Sequence, residues 1–224
     1  MSKYGIDISY CQKGIDWNEI EKKCDFVIIR AGNDMQNRFD TCFLSHITEA
    51  HKRKIPIGIY WYGLAYNAEQ AKQEAEWLID YINKNNIRSY IELPIYYDEE
   101  IQEVLQRCDV SGIVDAFRQT IANAGFKTGL YCSTGWITCI KNDIVNKFNS
   151  VWIAEWSNHC SYTGKYDIWQ TGKTPKFGTV VADEDIMLNN ILPLSKEEKL
   201  LTIEQKLNEA ITKINEAKHI LKGV

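Results

Sequence analysis

The feature that most constrains this chain is an alternation of short apolar runs with helical patterns, in which run after run ends on a carboxylate or an amide. The runs read as strands at Tyr4–Ser9, Phe26–Ala31, Ile57–Tyr62, Ile95–Asp98, Thr128–Tyr131, Val151–Glu155, Tyr166–Gln170 and Val180–Asp183. Several are continuously apolar, as strands covered on both faces are. Between them, Ala68–Asn83 carries Ala71, Ala75, Leu78, Ile79 and Ile82 at helical spacing, and Ser111–Ala124 carries Val114, Phe117, Ile121 and Ala124 likewise. Asn67 and Ser111 stand where N-caps belong, and Gly125 where a left-handed cap would close the second helix. Repeated strand–helix alternation predicts a parallel sheet in an α/β fold. Eight strands before Pro193 predict an irregular TIM-like (β/α) barrel; a doubly wound open sheet is the alternative.

Near Pro193 the character changes, which sets the expected domains at 1–193, a barrel, and 194–224, a helical appendage. Leu200, Ile203, Leu207, Ala210, Ile214, Ala217 and Leu221 repeat at alternating spacings of three and four, flanked by Glu and Lys. Leu201, Ile211 and Ile220 widen that stripe, and Ser195 with Glu198 fits a capping box. This predicts a C-terminal amphipathic helix, packed on the barrel, associating with copies of itself as a homo-oligomer, or serving as a spacer.

Polar residues late in strands carry the functional argument. Asp7 lies inside Tyr4–Ser9, Asp98-Glu99-Glu100 closes the fourth run, Glu155 sits between Trp152 and Trp156, Gln170 ends the seventh run, and Asp183-Glu184-Asp185 ends the eighth. In β/α barrels the active site forms at the C-terminal mouth, from the ends of several strands. Acids recurring at that place on different strands would converge. Side chains alternate along a strand, so Asp98 and Glu100 face one way, with Cα atoms roughly 6–7 Å apart, and Glu99 the other. Two carboxyls at that range raise one pKa, which suits a proton donor beside an ionised partner, the chemistry of glycosidic bond cleavage. Solvated strand ends, or a Mg²⁺ or Ca²⁺ site, are the alternatives that the pair alone leaves open. Trp61, Tyr62, Tyr131, Trp156 and Trp169 also fall late in strands, where aromatic faces suit the CH faces of sugar rings.

Composition narrows the rest. The net charge is −4, so a nucleic acid would meet no favourable long-range field. No apolar stretch is long enough to span a membrane. Met1 to Asp7 reaches a charge before any apolar core of signal-peptide length, which predicts no secretory signal. The seven cysteines have no CxxC spacing and read as reduced thiols, and the four histidines form no zinc box.

Taken in order, these segments resemble the glycoside hydrolase family 25 lysozymes, the N-acetylmuramidases of phage endolysins and bacterial autolysins. The likeness runs through Tyr4–Ser9, Gly14-Ile15-Asp16-Trp17, Phe26–Gly32, Asp40 with Phe43, Pro56–Tyr62, Asp98-Glu99-Glu100, Gly129-Leu130-Tyr131, Trp152-Ile153-Ala154, Trp169-Gln170 and Asp183-Glu184-Asp185. The resemblance implies hydrolysis of the β-1,4 bond between N-acetylmuramic acid and N-acetylglucosamine in bacterial peptidoglycan. It implies Glu100 as general acid, Asp98 stabilising the reacting centre, and Asp7 and Asp183 completing the acidic cluster, with no metal or other cofactor. The substrate-binding set is Trp61, Tyr62, Tyr131, Glu155, Trp156, Trp169 and Gln170. The second step is open between the substrate's acetamido group and a water as nucleophile. Glu99 replaces a residue that is often apolar in the family, and Asp185 takes a place commonly held by Asn. Together with the missing signal, the resemblance implies an enzyme that waits in the host cytoplasm until released to the cell wall. A non-catalytic wall-saccharide-binding barrel and a chitinase-like glycosidase are the alternatives.

Overall fold

The computed structural model describes residues 2–32, 39–193 and 196–222. The chain divides into two compact units, residues 1–191 and 192–224.

The first unit is a closed barrel of eight strands, with helices α1 (Trp17–Lys23), α2 (Phe43–Lys52), α3 (Ala68–Lys84), α4 (Gln102–Arg107), α5 (Val110–Asn123) and α6 (Asn142–Val145) between them. Seven strands run parallel: β1 (Lys3–Ile8), β2 (Phe26–Gly32), β3 (Ile57–Tyr62), β4 (Ile91–Asp98), β5 (Thr128–Ser133), β6 (Ser150–Ala154) and β7 (Ile168–Gln170). A small hairpin follows, β8 (Lys176–Phe177) with β9 (Val180–Val181), and then β10 (Asp183–Met187) closes the barrel between β7 and β1.

β10 is antiparallel to both neighbours. A parallel partner would require the chain to cross back to the bottom of the barrel, normally through a helix. Here the connection after β7 is spent on the β8–β9 hairpin at the top, so the last strand can only run downward. This corrects the expected eighth strand at Val180–Asp183. Val180 and Val181 belong to the hairpin, and Asp183 begins the barrel strand instead of ending it. Because the strand is reversed, its first residue is the one at the mouth, and Asp183 pairs with Asp7 across the β1–β10 ladder.

The apolar pattern explains the layers. Phe26 to Ile29 of β2 are fully buried on both sides. Helix α3 turns Ala71, Ala75, Leu78 and Ile82 inward, and α5 turns in Val114, Phe117 and Ile121. Asn67 caps α3, its side chain accepting from Gln70 N at 3.0 Å. For α5 the cap is Asp109, accepting from Gly112 N, and not Ser111, whose hydroxyl instead accepts from Lys141 N at 2.9 Å. An aspartate two residues ahead offers a carboxylate to the free amides, which leaves the serine to brace a neighbouring loop. Gly125 has φ +82°, the left-handed conformation that closes this helix.

The second unit contains α7 (Lys196–Lys222). Leu200, Leu201, Ile203, Leu207, Ile211 and Ile214 are exposed on it. The capping box expected at Ser195 and the side chains of Ile220 and Leu221 lie outside the described residues.

Candidate active site

Alternation along each strand decides what the mouth contains. On β4, Asp98 faces the barrel axis and Glu100 follows on the same side, while Tyr97 and Glu99 face the helices. One cavity of about 260 Å³ is lined by Asp7, Asp98, Glu100, Asp183, Gln170, Tyr60, Tyr62, Tyr131, Trp152, Trp156 and Arg30. All four expected catalytic acids therefore meet. A second cavity of about 560 Å³ shares Tyr62, Glu100, Tyr131 and Trp156 with the first and adds Glu155, Ala154 and the Ser133–Trp136 turn. The two form one cleft running past Glu100.

Beneath the acids lies an aromatic floor. The Trp152 ring is edge-on to Tyr60 and Tyr96, and tilted against Tyr131 at 4.4 Å between centroids. Its Nε1 donates to Asp185 Oδ1 at 2.8 Å. Above it, Gln170 Nε2 donates to Asp7 Oδ2 at 2.7 Å, while Gln170 Oε1 accepts from Tyr131 Oη at 2.9 Å and Trp156 Nε1 at 3.2 Å. One amide thus ties together three strands and both cavities.

The electrostatics follow from crowding and burial. Arg30 is the cation lining the acidic cavity, and its Nε pairs with Asp40 Oδ2 at 2.9 Å. Its charge is already matched, so the acids face one another with little compensation. Burial, with the charge of Asp183 next, pushes Asp7 up to about 8 against the opposing hydrogen bond from Gln170. Burial and the neighbouring Glu100 hold Asp98 well above the usual carboxylate range. Its buried Oδ1 has no hydrogen-bond partner among the described residues. Glu100 is raised by burial, with the Tyr131 hydroxyl partly opposing. Asp183 is raised by its burial alone, and Asp185 by burial and then by Asp7. Burial and mutual repulsion thus hold this cluster above the usual carboxylate range, beside a cleft open to solvent at Glu100. Among the described residues no group of His, Cys, Asp and Glu is arranged to hold a metal ion.

Two expected contact residues are misplaced. Trp61 is fully buried in the packed layer outside the barrel, edge-on to Phe39. It neighbours Tyr62 in sequence, so it must face the opposite way. Trp169 is turned away from Gln170 for the same reason, and its Nε1 donates to the Glu155 carbonyl at 2.8 Å. Tyr62, Tyr131, Trp156, Glu155 and Gln170 do line the cleft. The Glu155 carboxylate also accepts from Ser161 N, which holds its loop and favours the ionised form. Arg30, Tyr60, Trp152 and Trp136 escaped the sequence reading. Tyr60 was within reach of it, two residues before Tyr62 on the same strand face.

The profile of glycosyl hydrolases family 25 matches residues 6–179. Similar solved structures include the modular autolysin LytC from Streptococcus pneumoniae in complex with a synthetic peptidoglycan ligand, 24% identical with a TM-score of 0.71. That match covers 83% of this chain and 46% of LytC, so the chain spans less than half of that protein. The catalytic domain of endolysin ply40 from bacteriophage P40 of Listeria monocytogenes is 22% identical over 85% of this chain and 94% of its own, with a TM-score of 0.71. A muramidase from Trichobolus zukalii is 20% identical over 84% and 95%, with a TM-score of 0.67. No curated protein matches. At these identities the likeness is one of fold.

Proposed function

The chain belongs to glycosyl hydrolase family 25, and on that premise we propose that it is an N-acetylmuramidase. It cleaves the β-1,4 bond from N-acetylmuramic acid to N-acetylglucosamine in bacterial peptidoglycan and so lyses cell walls. The observation that carries this reading is the convergence of Asp7, Asp98, Glu100 and Asp183 on one cleft floored by aromatic rings. A groove that only bound saccharide would have no need of a mutually repelling set of acids.

In this reading Glu100 is the general acid. Burial raises its pKa, the direction a proton donor needs, and its exposed position brings it to the glycosidic oxygen. Asp98 offers its Oδ1, which has no hydrogen-bond partner among the described residues, toward the reacting centre, where the carboxyl stabilises positive charge developing at the sugar ring. Asp7, held by Gln170, and Asp183 complete the acidic wall. Tyr62, Tyr131 and Trp156 supply ring faces along the cleft, and Glu155 and Gln170 supply hydrogen-bonding groups.

We further infer that the site of action is the bacterial wall, reached from the host cytoplasm in which the chain is made, as for an endolysin. All seven cysteines are free thiols, which suits folding in a reducing compartment. The exposed stripe on α7, spaced by threes and fours, is read as a surface for a second copy of the same helix.

The test is turbidity loss on purified walls, followed by reducing-end analysis of the products. New reducing ends on N-acetylmuramic acid are the expected result. Reducing ends on N-acetylglucosamine would indicate a different glycosidase, and binding without product would indicate a saccharide-binding barrel.

A further inference from the structure

Glu99, between the two central acids, is fully buried on the far side of β4. A buried carboxyl in an apolar layer is costly unless its oxygens are satisfied, and here one is not: Oε2 has no hydrogen-bond partner among the described residues. The other oxygen, Oε1, accepts from Ile101 N at 3.2 Å. The bond runs from the residue before Glu100 to the amide of the residue after it. Glu99 N in turn donates to the Tyr131 carbonyl at 3.2 Å, so the hook is anchored to β5. Ile101 stands at the N-cap of α4 and supplies no side-chain cap of its own.

A companion arrangement stands beside it. Glu74 of α3 is also fully buried. Its Oε1 accepts from Leu64 N at 3.0 Å and its Oε2 from Tyr97 Oη at 2.9 Å. Leu64 lies just past Tyr62, and Tyr97 is two residues before Glu99. Two buried carboxyls thus grip the backbone where the chain leaves β3 and β4, behind the residues that form the cleft.

We propose that Glu99 is a positioning residue for Glu100, its carboxyl spanning that residue and fixing the direction in which the general acid leaves the strand. The proposal rests on the reading of Glu100 as the acid. It explains why a carboxyl occupies a place where an apolar side chain would pack at lower cost. Burial, with Glu74 and Glu100 adding their charges, raises Glu99 to about 8, as expected of a group kept in an unfavourable place. Catalysis is sensitive to such placement, because a displacement of about 1 Å can cost roughly a hundredfold in rate.

The test compares Glu99→Met and Glu99→Gln in the full chain on a soluble wall oligosaccharide, with Glu100→Gln as reference. Methionine matches the volume, lacks the acceptor and removes a buried unpaired oxygen. It should leave Tm equal or higher while kcat falls roughly ten- to a hundredfold and KM stays within about twofold. Glutamine keeps the accepting oxygen and should hold kcat within about threefold of wild type. Exchange of the Ile101 amide proton should be slow in wild type and Glu99→Gln, and fast in Glu99→Met. An unchanged kcat in Glu99→Met overturns the proposal. So does failure of that variant to fold, or equal loss of kcat in Glu99→Gln. An inactive wild type, or an active Glu100→Gln, would instead remove the reading of the site on which the proposal stands.

Discussion

Gln170 and Asp7, separated by almost the whole barrel in sequence, meet at 2.7 Å, and that amide is the hydrogen-bond donor found on the Asp7 side chain. Replacing it as Gln170→Leu removes the interaction that opposes the rise of the Asp7 pKa. It also strands the Tyr131 hydroxyl and the Trp156 indole. With these groups no longer held in place, kcat/KM should fall roughly ten- to a hundredfold. The pH–rate profile should show its Asp7 limb displaced upward. A profile and rate equal to wild type would remove Gln170 from the machinery.

Glu100→Gln should fold normally and lose lytic activity by about 10²–10⁴, the usual contribution of a general acid. Asp98→Asn should also be strongly impaired, since it removes the carboxyl facing the reacting centre. Turbidity assays on purified walls, with circular dichroism to verify folding, make the comparison.

Stability should decline as pH rises through neutrality. Asp7 and Glu99 are both raised to about 8 by burial. The folded protein therefore holds protons that the unfolded chain releases near pH ~4. Their stabilising contribution is fully present below that value and is lost as pH rises through about 8. Melting temperatures measured from pH 5 to 9 should fall, and Asp7→Asn should flatten the slope. A Tm that rises over the same range would contradict the assignment.

Much of the barrel is legible before any coordinates are seen. β3 (Ile57–Tyr62) is read at both ends, because a continuous apolar run between Pro56 and Gly63 leaves no other choice. The final strand is not legible, because Val180 and Val181 look like a buried run and nothing local says that they form a hairpin. Asp7, Asp98 and Glu100 line the cleft from late strand positions that the sequence displays. Asp183 reaches the mouth through a reversal of strand direction that sequence does not display. Trp61 and Trp169 were chosen for lateness alone, whereas the pleat assigns them to the outer face. Counting back by twos from Tyr62 and Ala154 leads instead to Tyr60 and Trp152, which line the cleft.

Chelation should leave activity intact, since the acids are assigned to proton transfer and charge stabilisation. Assays with and without EDTA test this, and loss that a divalent cation restores would reassign the carboxylates as ligands. Reducing agents should likewise have no effect on seven free thiols.

The helix α7 should govern assembly and not chemistry. Its exposed leucines and isoleucines gain stability only when covered, and a lone helix is marginal in water. Light scattering should give a dimer or larger species for the full chain and a monomer for a chain ending at Pro193. A monomer in both cases would end the assembly idea. The shortened chain should still cleave soluble wall fragments, because all four acids precede that point.

Closing the barrel with β10 against β1 has a consequence for when the enzyme comes into being. The acidic wall is divided between the beginning of the barrel and its last strand, with Asp7 opposite Asp183. A ribosome that has made the first six strands has made most of the hydrophobic mass but only part of the site. Gln170 and Asp183 arrive late, and each must find partners made at the very start. Pairings of such long sequence separation form slowly. Until they form, Asp7 lacks both its hydrogen-bond donor and its facing acid. A chain that stops before β10 therefore lacks the complete acidic wall, which assembles only when the two ends of the barrel meet.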